Sequence, residues 1–238
     1  MLIGEVTMKE FEKSLKKSKT LIVPFGTVEA HGAHLPLNTD TLIIREVVRK
    51  AASLTGVYMA PPIQYGVCTS TGQHPGTIGI TAGTLRMLTA DIVRDAFKKG
   101  LRKFILISGH GGSLHVAAMK EAAETLTEEL DGVKIAALSI YEVLGKEAEG
   151  IAETRNDSHA GEIETSLVLF LAPALVKGRS KEEYPRLPKP VVAKDKVRYW
   201  PGAVWGDPGK ATAQKGEMMF DIMVDSVVSL VRKLDKTR

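Results

Sequence analysis

Between Phe25 and Asp40 the chain runs FGTVEAHGAHLPLNTD and carries Glu29, His31, His34 and Asp40. Imidazole and carboxylate are donors that divalent transition metals accept. Glu29 and His31 are two apart. In an extended segment such residues point to the same side, so both reach towards one ion. Asp40 adds a carboxylate whose two oxygens allow it to serve two ions. Taken singly, each residue has a structural reading, Asp40 as a helix cap and the others as solvated loop residues. Their joint occurrence points to a metal site and to hydrolysis.

Two further clusters carry the same kinds of group. Ser108-Gly109-His110-Gly111-Gly112-Ser113 follows an apolar run. His110 therefore emerges at a strand end, and the glycines let the backbone turn sharply and approach a ligand. The spacing matches neither GxxxxGK[ST] nor GxGxxG, so a phosphate loop is not indicated. Residues 157–166, DSHAGEIETS, place His159, Glu162 and Glu164 before an apolar helix face. A macrodipole favours acidic residues at a helix start, which accounts for one glutamate but not for His159. On a helix Glu162 and Glu164 point about 200° apart, so they should not share a role. His74 lies in a QHPGT loop, and His115 reads as a packed or surface histidine inside a helix.

These clusters need elements to position them. The periodicity predicts helices over 8–18, 40–54, 85–99, 113–129, 141–150, 159–171 and 213–234. Strands are expected over 20–25, 57–60, 102–108 and 133–140. Thr39 or Asp40 is expected to cap the second helix and Gly56 to end it, with Thr84 capping the third and Gly100 closing it. Alternating strands and helices imply a parallel sheet with helices on both faces. In such sheets ligand sites form where strands end. Residues 63–83 form a polar loop, and 173–211 an irregular arm, lid or oligomer contact.

The chain has 238 residues, 44% of them hydrophobic, enough for one substantial core in a single domain, 1–238. A net charge of +4 with mixed signs gives no reason to expect nucleic acid. The single cysteine, Cys68, excludes an internal disulfide and fits a cytoplasmic setting. The N-terminus shows no signal-peptide pattern, and no apolar run suggests a membrane partner.

Five pieces, GTVEAHGAHLPLNTD, QHPGT, SGHGGS, HAGEIETS and GDPGKATAQKGE, occur in this order from about residue 20 to 217. Together they resemble the creatininase (creatinine amidohydrolase) family. The resemblance implies a three-layer α/β/α sandwich with a mostly parallel sheet. It also implies a homo-oligomer and two divalent ions per chain (Zn, Mn or Fe(II)) with a bridged water as nucleophile. Carried over, Glu29 and His110 would hold one ion, His31 the other, and Asp40 would bridge them. Glu164 would be a further ligand or support, and His159 the proton shuttle.

The departures concern the substrate. Gly111 and Gly112 stand where creatinine-hydrolysing members have a tyrosine and a metal-binding glutamate. Arg155 replaces a tryptophan, and the middle loop reads Cys68, Ser70, Thr71 and His74. Creatinine is therefore not the expected substrate. The archaeal-type branch that deformylates 2-amino-5-formylamino-6-ribosylaminopyrimidin-4(3H)-one 5'-monophosphate, in flavin and deazaflavin biosynthesis, is the first expectation. Arg155 would grip the phosphate, and Ser70, Thr71 and the opening at Gly112 would receive the rest. The alternatives are hydrolysis of creatinine or another cyclic amide, a peptidase-like maturation of a peptide-derived cofactor, and a non-catalytic binding or assembly role.

Overall fold

The computed structural model describes residues 1–144, 150–188 and 190–237. Its centre is a four-stranded parallel sheet in the order β2-β1-β3-β4, built from β1 Thr20–Phe25, β2 Tyr58–Met59, β3 Lys103–Ser108 and β4 Lys134–Ser139. Side chains alternate across β1 and β3 and so divide the core in two. Ile22, Ile105 and Ile107 pack on one face against α2 Thr39–Thr55, α6 Glu162–Leu171 and α7 Ala213–Lys236. Leu21, Val23, Phe25, Phe104 and Leu106 pack on the other against α3 Ala82–Lys98 and α4 Ser113–Glu129, with α1 Met8–Ser14 at the margin. This is the three-layer α/β/α sandwich expected from the sequence.

The register matters most for the site. Phe25 pairs with Ser108, and Ser108 with Ser139. Strands β1, β3 and β4 therefore end level, and the segments after them leave side by side. β1 and β3 also straddle the position where the strand order reverses, which in open α/β sheets is where the ligand crevice forms. Glu29 follows β1 and His110 follows β3. Tyr141 follows β4, in the short helix α5 Ile140–Leu144.

Several boundaries differ from expectation, each for a local reason. The first helix stops at Ser14 instead of 18, while a reciprocal Thr7–Glu10 capping box fixes its start. α2 begins at Thr39 after Asn38, which makes no side-chain cap, so Asp40 sits inside the first turn with its carboxylate free for other work. Thr81, not Thr84, caps α3: its hydroxyl accepts the Thr84 amide at 3.1 Å. The strand expected over 57–60 shortens to Tyr58–Met59. α6 begins at Glu162 instead of His159, because Asp157 accepts the amides of Glu162 and Ile163 at 2.8 and 3.0 Å. Gly56 and Gly100 end their helices at φ 73° and 101° as expected. The distal half of the helix expected over 141–150 lies outside the described residues. Among the described residues, no helix is long and apolar enough to cross a membrane.

Two glycines seat α2 against the strand ends. A methyl group on Gly26 would stand 2.6 Å from Thr41 Cα, and one on Gly109 only 2.2 Å from the Asp40 carbonyl oxygen. Neither contact is tolerable, so a side chain at either position must push the start of α2 away and take Asp40 with it. Gly109→Ala is expected to cost about 1–3 kcal/mol in urea unfolding and to lower metal retention after dialysis. Gly150→Ala, where no described residue lies within 4 Å, should stay within about 0.5 kcal/mol of the parent.

Candidate metal centre

The strand ends bring together every residue that the sequence marked as a ligand. Asp40 is 1% exposed and divides its two oxygens between two partners. Oδ1 lies 3.2 Å from His31 Nε2, and Oδ2 lies 3.2 Å from His110 Nδ1. Glu164 completes the first group, with Oε2 3.6 Å from His31 Nε2. Glu29 completes the second, with Oε1 2.6 Å from His110 Nδ1. Two donors each about 2.1 Å from one tetrahedral ion stand roughly 3.4 Å apart. Three of the four separations fit that spacing, and the fourth is a hydrogen bond. The donors therefore fit two divalent cations with Asp40 between them.

Neighbouring groups set the orientation of each ligand. His31 Nδ1–H donates to the Glu29 carbonyl at 3.0 Å, which leaves Nε2 as the nitrogen that faces Asp40 and Glu164. His110 Nε2–H donates to the Val67 carbonyl at 3.3 Å, which turns Nδ1 towards Glu29 and Asp40. Such outer partners fix the tautomer of a ligating imidazole. Thr27 donates to Asp40 Oδ2 and, at 3.4 Å, to Glu29 Oε1, while Thr71 donates to Glu29 Oε2. Tyr141 donates to Glu164 Oε1 at 2.8 Å, and the Ala160 amide donates to Oε2 at 2.6 Å.

The electrostatics have the sign that dications require. Burial alone would lower the pKa of His31, yet Asp40, with Glu164 and Glu29, raises it to about 10. Asp40 is held well below the usual carboxylate range: burial opposes this, and His31 and His110 outweigh it. His159 is lowered by burial and by His31. Its ring stacks on His31 at 4.3 Å between centroids, and its Nε2–H donates to the Ala30 carbonyl at 2.8 Å. Nδ1 is thus left as the basic nitrogen of a neutral imidazole.

A cavity of about 540 Å³ opens over this cluster, lined among others by Ser70, Thr71, Gly112, Tyr141, Trp200 and Trp205. The irregular arm supplies part of its wall. Trp205 pairs with His159 through main-chain hydrogen bonds at 2.7 and 3.2 Å, and Trp200 meets the His159 ring edge-on at 5.2 Å. The sequence reading of 173–211 as an arm, lid or oligomer contact does not assign these two tryptophans to the site, and it misses Tyr141 and Thr27 altogether. The position of Tyr141 just past a strand end was the available signal. Arg155 is not brought in: it is exposed and absent from the lining. Glu162 also stays away. It accepts the amides of Glu153 and Thr154 and pairs with Lys215 at 2.6 Å, tying α6 to α7. His115 is fully buried and accepts the Val67 amide at 3.1 Å. His74 reaches the Trp200 carbonyl at 2.6 Å.

A parallel α/β/α sheet whose strand ends gather carboxylates and imidazoles around a bridging aspartate defines a metal-dependent hydrolase of C–N bonds. The chain belongs to the creatininase family: the model described as creatinine amidohydrolase matches residues 4–231. The chain is 31% identical to the mycofactocin precursor peptide peptidase of Mycobacterium tuberculosis, over 98% of this chain and 92% of the relative. It is 27% identical to the creatinine amidohydrolase of Pseudomonas putida, over 98% and 96%. A solved creatininase superposes with a TM-score of 0.87 at 26% identity, covering 100% of this chain and 98% of that one. Other solved forms of creatininase are described as Zn-Zn type and as Mn.

His34 is not a ligand but a tie. Nε2 contacts Thr165 Oγ1 of α6 and Nδ1 contacts Ser180 Oγ of the arm, each at 2.9 Å. Burial and the nearby His31 lower its pKa to about 4. Between pH 6.5 and 4 the unfolded chain binds a proton here that the folded chain refuses, so this residue makes stability fall as the pH falls. His34→Asn should flatten that slope, read as the difference in urea midpoint between pH 6.5 and pH 4.5 for parent and variant.

Proposed function

We propose that the protein binds two divalent ions per chain and hydrolyses the amide bond of a small or peptide-derived substrate that carries no phosphate. The observation that carries this reading is the division of the Asp40 oxygens between the His31–Glu164 and Glu29–His110 pairs. When bound, the ions supply Lewis acidity and lower the pKa of water to roughly 7. The chain's own residues do the rest. Asp40, Glu29 and Glu164 hold the ions in register. His159, neutral and with Nδ1 free to accept, takes the proton from the attacking water and returns it to the leaving nitrogen. Trp200 and Trp205, with Ile163 and Leu144, give the cavity an apolar side that excludes water and receives the substrate's flat or aliphatic part.

The phosphorylated formamide expected from the sequence is less favoured: no lysine or arginine is among the described residues that line the cavity, and Arg155 is exposed and outside that lining. A bidentate arginine grip on a phosphate is therefore not part of this reading. The wall instead combines carboxylates, serine and threonine hydroxyls and two indoles, which suit a neutral or cationic amide. The peptidase reading is favoured by the likeness to the mycobacterial peptidase, and the same cavity admits a peptide terminus. The one buried thiol is in keeping with a cytoplasmic setting.

Metal analysis of the purified protein should find two ions per chain, falling below one in Asp40→Asn. His159→Gln should retain both ions while kcat falls by about 10²–10⁴. A panel of short peptides, cyclic amides and the formamidopyrimidine nucleotide, followed by amine and formate release, should show turnover of the unphosphorylated amides. Activity that survives chelation, with less than one ion bound, would exclude the two-metal mechanism. Formate release from the nucleotide alone would restore the deformylase reading.

A further inference from the structure

The Glu29–His110 half of the centre has a neighbour that neither the family motifs nor the proposed mechanism uses. Cys68 lies in the loop after β2. Its Sγ, one Glu29 carboxylate oxygen and one His110 ring nitrogen all stand within 4.8 Å of one another. The thiol is buried, and its sulfur makes a long 3.8 Å contact to the Gly66 carbonyl. Three kinds of donor, carboxylate, imidazole and sulfur, thus converge on a single point.

A second, independent feature concerns the residue across from it. A methyl group on Gly112 would lie 2.2 Å from His110 Nε2. With this placement of His110, position 112 therefore admits no side chain and offers no ligand. The His110 ring occupies that space, and its Nε2–H is anchored on the carbonyl of Val67, the residue before Cys68. The same loop that orients the imidazole presents the sulfur.

We propose that Cys68 is a thiolate ligand of the ion held by Glu29, His110 and Asp40. This inference rests on the two-metal reading above. It makes the centre asymmetric. One ion has four protein donors, Glu29, Asp40, His110 and Cys68, which is the closed set typical of a structural site. The other has three, His31, Asp40 and Glu164, on the side where His159 stacks. The open position then belongs to the His31 side. On binding, the S–H bond breaks, an S–metal bond forms and the proton leaves to solvent, with no change of oxidation state. A sulfur donor also biases that half towards zinc or cobalt and away from manganese, which prefers oxygen donors.

The test uses the whole chain loaded with Co(II) and, separately, Zn(II). Cys68 is the only cysteine, so a thiolate-to-cobalt charge-transfer band in the near ultraviolet needs no further assignment. The expected result is that band, together with a sulfur scatterer at about 2.3 Å in the zinc X-ray absorption spectrum. Both should vanish in Cys68→Ser while the far-ultraviolet circular dichroism is kept. One of the two ions should then bind about tenfold or more weakly, the scale on which outer partners alone act. Two ions per chain with no charge-transfer band and no sulfur scatterer would overturn the assignment and leave the two-metal reading standing. Failure to bind any ion would overturn both. The parent spectrum decides the matter even if the variant does not fold.

Discussion

The structure depends on burying the Asp40 carboxylate between two imidazoles and two further carboxylates. Placing charges out of water costs several kcal/mol each unless partners recover it. Around Asp40 the recovery is dense: His31, His110 and the Thr27 hydroxyl all address it. Its place in the first turn of α2 puts it at the positive end of a helix dipole as well. Three acidic groups so close together would repel one another in a solvated loop. In a rigid frame their repulsion becomes affinity for cations, which is what a metal centre requires. The level ends of β1, β3 and β4, and the glycines that let α2 approach, supply that frame.

The frame does not decide what the centre acts on. The solved creatininase shares this fold, and a fold hosts chemistry without choosing the substrate. Choice lies in the cavity wall, and the wall is assembled from remote segments: the 69–71 loop, α5, the start of α6 and the arm. Here no lysine or arginine is among the described residues of the wall, and Arg155 is exposed and outside it. Trp200 and Trp205 supply aromatic surface from the arm.

Much of this was legible in the sequence where the signal is local. Apolar runs located the four strands of the sheet, helical periodicity located the long helices, and clustered His, Glu and Asp marked the side chains that meet at the strand ends. The separation of Glu162 from Glu164 followed from helical geometry alone, and the structure gives them unrelated partners. What the sequence did not show depends on long-range contacts. Asp157 delays α6 by capping it from outside the helix. Thr81 supplants Thr84 because the chain enters α3 one turn earlier. Tyr141 matters only because β4 ends level with β3, a matter of register that no single segment encodes. Arg155 looked apt for an anion by type, but it is exposed and stays outside the cavity lining.

The arm shows how far such long-range support reaches. His159 makes main-chain hydrogen bonds to Trp205, and its ring stacks on His31 and meets Trp200 edge-on. The arm is in turn tied to α6 and the Glu29 loop through His34, Thr165 and Ser180. His74 fastens Trp200 to the QHPGT segment. The residues that shape the cavity are thus the residues that hold the His159 imidazole in place, so repacking the arm would also shift His159 against His31. The segment GDPGKATAQKGE, residues 206–217, carries the end of the arm into α7. Thr212 and Lys215 begin α7, and Lys215 reaches Glu162 at the start of the helix that carries Glu164.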